Sequence, residues 1–126
     1  MSDTAIDFDH LNRYVGGDVE LTREVFGMFI HQAEMWGRGL VADADDAVWE
    51  SVTHSLKGSA RAVGATGLAE MCERAEDLVG EGKRMGAREV AVQNIEFEID
   101  RAKTEIARWE HRQSMRDLSE GKLSRL

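Results

Sequence analysis

The stretch Val48-Trp49-Glu50-Ser51-Val52-Thr53-His54-Ser55-Leu56-Lys57-Gly58-Ser59-Ala60-Arg61-Ala62-Val63 decides how this chain folds. Its apolar residues Val48, Trp49, Val52, Leu56 and Val63 return at three- and four-residue steps, with Ser59 on the same side, which is the period of an amphipathic helix. At about 100° per residue His54 falls roughly 180° from the centre of that stripe and faces solvent. Glu50 and Ser51 lie one turn before it, Lys57 and Gly58 one turn after, and Arg61 two turns after.

Four further helices are predicted outward from this one. The helix itself begins at Asp43 to Asp46, where carboxylates suit a helix N-terminus, and Gly64-Ala65-Thr66-Gly67 turns the chain after it. Upstream, a short helix over 7–15 carries Phe8, Leu11 and Val15 on one face. Gly16-Gly17-Asp18 ends it, and Asp18 can cap the next helix. That second helix spans 19–40 with a wide stripe of Leu21, Val25, Phe26, Phe29, Ile30, Ala33 and Trp36, loosened at its end by Gly37 and Gly39. Downstream, 68–79 repeats Leu68, Met71, Cys72, Ala75, Leu78 and Val79, and Gly80-Glu81-Gly82 ends it. The last helix runs over 86–112 on Val92, Ile95, Ile99, Ala102, Ile106 and Trp109. Long helices joined by short loops predict an all-α fold: an antiparallel four-helix bundle over 7–112 with a short extra N-terminal helix. The polar tail 113–126 is expected to fray.

Composition agrees. The 126 residues suit one domain, and they contain no proline, so long helices go unbroken. The formal net charge of −8 argues against nucleic acid as a main partner. A single cysteine, Cys72, excludes an internal disulfide framework and a multi-cysteine metal site. The start of the chain, Met1-Ser2-Asp3-Thr4, is polar and acidic rather than a signal peptide, and no apolar run is long enough for a bilayer. A cytoplasmic location is the expectation.

The surroundings of His54 suggest chemistry. Glycine inside a helix costs about 1 kcal/mol against alanine. A side chain at position 58 would lean toward the helix N-terminus, over His54, so Gly58 leaves the imidazole uncovered. Lys57 and Arg61 can hold an anion beside it, and histidine is a nucleophile able to form a covalent intermediate. Clearance, cations and an exposed imidazole together suit a transient phosphoryl group. If the chain folds back about Ala65, residues equidistant from it share a height, which pairs His54 with Glu76 and Lys57 with Glu73. Glu76, or Asp77 if the register slips by one, could then accept from Nδ1 and leave Nε2 free to attack.

The run His54-Ser55-Leu56-Lys57-Gly58-Ser59 resembles the His-x-Leu-Lys-Gly-Ser motif of histidine phosphotransfer (HPt) domains, and Phe8-Asp9 with Gly16-Gly17-Asp18 and Phe26 is similar to that family's entry segment. The likeness spans roughly 7–112. It implies a phosphohistidine at His54, Lys57 and Gly58 as flanking site residues, and exchange with aspartates on response-regulator receiver domains, with a hybrid histidine kinase a further possible partner. It also implies no kinase activity and no cofactor in this chain, since the receiver brings the acidic pocket and Mg²⁺. Glu76 matches the position from which the family's facing helix offers glutamine or glutamate to Nδ1.

Other readings explain less. A di-metal bundle needs Glu-x-x-His pairs; none occurs, and His31-Gln32-Ala33-Glu34 is a single reversed pair. A purely structural bundle leaves Gly58 beside His54 without a reason. A kinase dimerisation domain usually has an acidic residue after its histidine, where Ser55 stands here, and no nucleotide-binding loop is present. A monomeric carrier is therefore expected. His10, His31 and His111 read as surface or boundary residues, Cys72 as a buried thiol, and Trp36, Trp49 and Trp109 as core or boundary aromatics.

Overall fold

The computed structural model describes residues 4–121. Five α-helices follow in order: α1, Phe8–Val15; α2, Val19–Arg38; α3, Asp46–Val63; α4, Thr66–Glu76; and α5, Ala87–Ser119. A single 3-10 turn, Gly80–Gly82, links α4 to α5. Among the described residues there is no strand, and α2 to α5 form the bundle that α1 caps.

Local chemistry sets the helix ends. The Asp7 carboxylate accepts from His10 N at 3.1 Å and starts α1. The Asp18 carboxylate accepts from Leu21 N at 3.0 Å and starts α2. Gly64 closes α3 in the left-handed region, φ 74°. There a Cβ would lie 2.7 Å from the Asp7 carbonyl oxygen. Asp7 N in turn donates to Gly64 O at 2.8 Å, which stitches the N-terminal segment to the α3–α4 turn.

The core holds Phe26 and Phe29 from α2, Trp49 and Leu56 from α3, Leu68 and Cys72 from α4, and Ile95, Ile99 and Trp109 from α5. Phe26 and Trp109 meet edge to face at 5.2 Å. The Trp49 indole N–H donates to Ala75 O at 2.8 Å, which satisfies its polar atom and binds α3 to α4.

Four sequence expectations need correction. Val48, placed in the α3 stripe, is 47% exposed, whereas Thr53 is buried. The buried face is turned toward α4, and Thr53 tolerates it because its hydroxyl donates to Trp49 O at 2.9 Å. Leu21 of α2 is likewise exposed. The fourth helix stops at Glu76 rather than Val79 because its next backbone groups are taken elsewhere. Leu78 O accepts from Arg88 Nε at 2.9 Å, and Gly80 N donates to Asp46 Oδ2 at 2.9 Å. Finally, α5 continues through the stretch expected to fray, as far as Ser119, with Gln113 buried. Polarity alone does not stop a helix, and no glycine intervenes before Gly121, φ 77°. Residues 122–126 of that tail lie outside the described residues.

Arg88 is the largest polar member of the interior, 1% exposed. Besides Leu78 O it donates to Ala42 O at 3.1 Å, Ala44 O at 2.7 Å and Asp46 Oδ1 at 2.7 Å. Its guanidinium stacks 4.6 Å from the Trp49 ring centroid. One side chain thus fastens the α2–α3 loop, the start of α3 and the end of α4 to α5, which sets where α3 sits.

Candidate functional site

The His54 side chain is 74% exposed in the middle of α3. Its Nδ1 lies 3.4 Å from Oε1 of Glu76, the last residue of α4. Across the hairpin Lys57, only 12% exposed, places Nζ 2.9 Å from both carboxylate oxygens of Glu76. The bond to Oε2 is well aligned, whereas Oε1 is buried with no aligned donor of its own. Oε1 therefore keeps acceptor capacity on the side facing the imidazole. A separation of 3.4 Å is long for a hydrogen bond and would tighten with a small rotation of the ring.

The hairpin thus brings His54, Lys57 and Glu76 together, though not in the pairs that equidistance from Ala65 suggests for the cations. Lys57 engages Glu76, and Glu73 is met by Arg61 at 3.8 Å in an exposed pair. Lys57 is held by a carboxylate rather than free for an anion. Asp77, the C-cap of α4, lines the same cleft as Glu76, and it is the Glu76 carboxylate that lies against the ring. Gly58 is exposed, and a Cβ there would meet nothing within 4 Å. No packing within the bundle demands glycine at this position.

Charge divides the surroundings. Beside His54, toward the start of α3, lies an open cleft of about 960 Å³ lined by Asp46, Glu50, Glu76 and Asp77. On the other side stand Lys57, Gly58 and Arg61. An anion on the imidazole meets four carboxylates on the cleft side and, over Gly58, cations whose charge Glu76 and Glu73 already share. Below the site, burial pushes the Cys72 thiol up to about 12, with Glu76 acting in the same direction and Lys57 opposing. Cys72 is therefore a packing residue, not a nucleophile.

Sequence reasoning missed an apolar edge. Leu21, Met28 and Met35 recur every seven residues on α2, and all three are exposed. The Ser59 hydroxyl donates to Gln32 Oε1 at 2.8 Å, which sets this helix directly beside α3. The seven-residue spacing was the available signal. Arg88 was missed as well, because a lone arginine in a polar stretch gives no sign of burial. His10 Nε2 donates to Arg61 O at 3.1 Å, while His31 and His111 are exposed. Among the described residues no three His, Cys, Asp or Glu side chains converge as a metal site, and no helix is long and apolar enough to cross a membrane.

Comparison with known proteins gives the same picture. No curated protein matches the sequence. The chain is similar to the histidine phosphotransferase ShpA from Caulobacter crescentus, whose crystal structure superposes with a TM-score of 0.72 at 32% identity, covering 90% of this chain and 98% of that one. The family model of the Hpt domain matches residues 24–112, which include His54, Lys57, Gly58 and Glu76. The chain therefore belongs to the Hpt domain family and is a phosphotransfer intermediate of a phosphorelay.

Proposed function

We propose that His54 carries the phosphoryl group and exchanges it with aspartates of response-regulator receiver domains. One observation bears most of the weight: an exposed imidazole whose Nδ1 lies 3.4 Å from Oε1 of Glu76, a carboxylate oxygen with a lone pair to spare beside Lys57. That contact selects the tautomer with the proton on Nδ1 and leaves Nε2, on the far side of the ring, as the nucleophile.

The Nε2 lone pair attacks the phosphorus of the receiver's aspartyl phosphate in line. The N–P bond forms as the bond from phosphorus to the carboxylate oxygen breaks, and the receiver keeps a free aspartate carboxylate. Glu76 balances the charge that develops on the ring through the Nδ1 proton. Lys57, already beside Glu76, shares its charge with the incoming group, and Arg61 adds positive potential from one turn further on. Gly58 gives the receiver room to approach. The stripe of Leu21, Met28 and Met35 beside α3 supplies apolar docking contacts.

The receiver brings the acidic pocket with its Mg²⁺, and this chain contributes no cofactor. It works as a cytoplasmic monomer that passes the group on and does not draw it from nucleotide. A hybrid histidine kinase, through its own receiver, is a fitting upstream partner.

The test is transfer from a phosphorylated receiver to this chain and to His54→Ala. The unaltered chain should gain an acid-labile, base-stable label, and the variant none. Label of that character on the variant would remove His54 from the role. Incubation with ATP and no other protein should leave both unlabelled.

A further inference from the structure

Two clefts flank α4, and their chemistry is opposite. The one beside His54 is lined by carboxylates. The other, about 590 Å³, opens between the end of α4 and the start of α5. Met71, Ala75, Leu78, Val90 and Ala91 make its floor, and the charged residues lining it are Arg74 and Arg84. Met85, at its edge, is fully exposed, and Val90 is more than half exposed. Arg74 reaches Glu70 at 2.7 Å, a surface pair that a ligand can share. Arg84 has no carboxylate partner among the described residues. In a chain of net charge −8, a groove lined by two arginines and no carboxylate departs from the rest of the surface.

The geometry points to a second protein-docking surface: we propose that the α4–α5 groove receives an acidic amphipathic segment of a partner, its apolar side chains on the Met71, Leu78 and Val90 floor and its carboxylates on Arg74 and Arg84. A groove between two packed helices accepts an amphipathic helix laid along it, and the flexible thioethers of Met71 and Met85 fit varied side chains. Charge fixes the sign of the occupant, since a basic segment would meet both arginines. Met71 and Arg74 fall about 140 to 160° round α4 from Glu76, so this surface faces away from the phosphotransfer site. A partner here and a receiver at His54 bind at the same time. The inference holds whichever residue carries the phosphoryl group.

The full chain, labelled at its methionine methyls, is titrated with a synthetic amphipathic peptide bearing leucines on one face and glutamates on the other. Saturable shifts are expected at Met71 and Met85 and not at Met28 or Met35. Binding should weaken about tenfold in Arg74→Glu/Arg84→Glu, whose helicity is checked by circular dichroism, and by a similar factor for the peptide with lysines in place of glutamates. The double variant should accept the phosphoryl group from a receiver at the unaltered rate. The proposal is overturned by shifts that do not saturate, by equal binding of the lysine peptide, or by shifts centred on Met28 and Met35. Stronger shifts of Met71 and Met85 with phosphatidylglycerol vesicles would assign the groove to a lipid surface instead. A concentration-dependent dimer that the double variant abolishes would assign it to a second copy of the chain.

Discussion

Two cation–carboxylate pairs anchor α3, and they are built for different ends. Arg88 and Asp46 sit at its start. The arginine is buried, stacked on Trp49 and donates to three backbone carbonyls as well as to the carboxylate. Lys57 and Glu76 sit mid-helix beside His54, where one carboxylate oxygen is buried with no aligned donor. A buried network with its donors filled makes one arrangement far more stable than others. A carboxylate with a lone pair to spare, next to an exposed imidazole, keeps a place for a proton. The first pair positions the helix, and the second is the one that the proposed chemistry uses.

The comparison breaks most visibly at Arg88. Arg88→Met keeps the bulk and removes the donors, so it strands the Leu78, Ala42 and Ala44 carbonyls and loosens both loops. Losing the hydrogen bonds of a charged guanidinium costs about 3 kcal/mol, a fall in melting temperature of about 10 °C. Thermal unfolding measures this. Below the transition, phosphotransfer should stay within about twofold of the unaltered chain. A large loss of transfer in protein that is still folded would mean that the clamp acts on the chemistry too.

The mirror experiment is Glu76→Ala against Glu76→Gln. Alanine removes both the acceptor for Nδ1 and the partner of Lys57, and transfer to His54 should slow about a hundredfold, within the range of positioned acid–base groups. Glutamine keeps a neutral acceptor but releases Lys57, and should slow it about tenfold. Rapid-quench rates from a phosphorylated receiver decide. If glutamine proves no better than alanine, the negative charge matters rather than the orientation of the ring.

Acid should separate the pairs further. Asp46 is held below its ordinary 3.8 by the hydrogen bond from Gly80 N, with Lys83 and Arg88 adding to the effect. A carboxyl lowered in the folded state contributes stability that is present above its unfolded value and lost as pH falls through the folded one. Melting temperature should therefore drop as pH goes below about 4, and Asp46→Asn should flatten that part of the profile while lowering the plateau at neutral pH. An unaltered slope in the variant would assign the acid sensitivity to other carboxylates.

What was legible in the sequence follows the same division. Local order writes itself plainly: the α3 period, the cap at Asp18, and the outward angle of His54 all depend on neighbours within a turn or two. The contact between His54 and Glu76 needed only one hairpin, so counting from Ala65 reached it. The same count failed for Lys57, because a long side chain selects among carboxylates a turn apart: Lys57 meets Glu76, and Arg61 meets Glu73. Arg88 was out of reach: its partners come from residues 42 to 46 and from Leu78, and only the assembled bundle brings them to one point. The seven extra residues of α5 were misjudged because polar composition was read as a stop where no glycine or proline stood.

The smallest effect is the most discriminating, because stability and function should move in opposite directions. A Cβ at position 58 meets nothing within 4 Å, and glycine in an exposed helix interior costs about 0.8 to 1.0 kcal/mol against alanine. Gly58→Ala should therefore raise stability by up to about 1 kcal/mol, measured by denaturant titration. Its methyl leans toward His54, so transfer should slow only a few-fold, about the effect of crowding one edge of the receiver's approach. Gly58→Gln gains nearly the same helix propensity but lays a long side chain over the imidazole, and should slow transfer by about tenfold or more. If both variants are stabilised and neither slows transfer, the glycine is not there for clearance, and the receiver must approach from the cleft side of His54. If both slow transfer in proportion to side-chain length while stability rises, the bundle tolerates a weak helical position where the partner needs room.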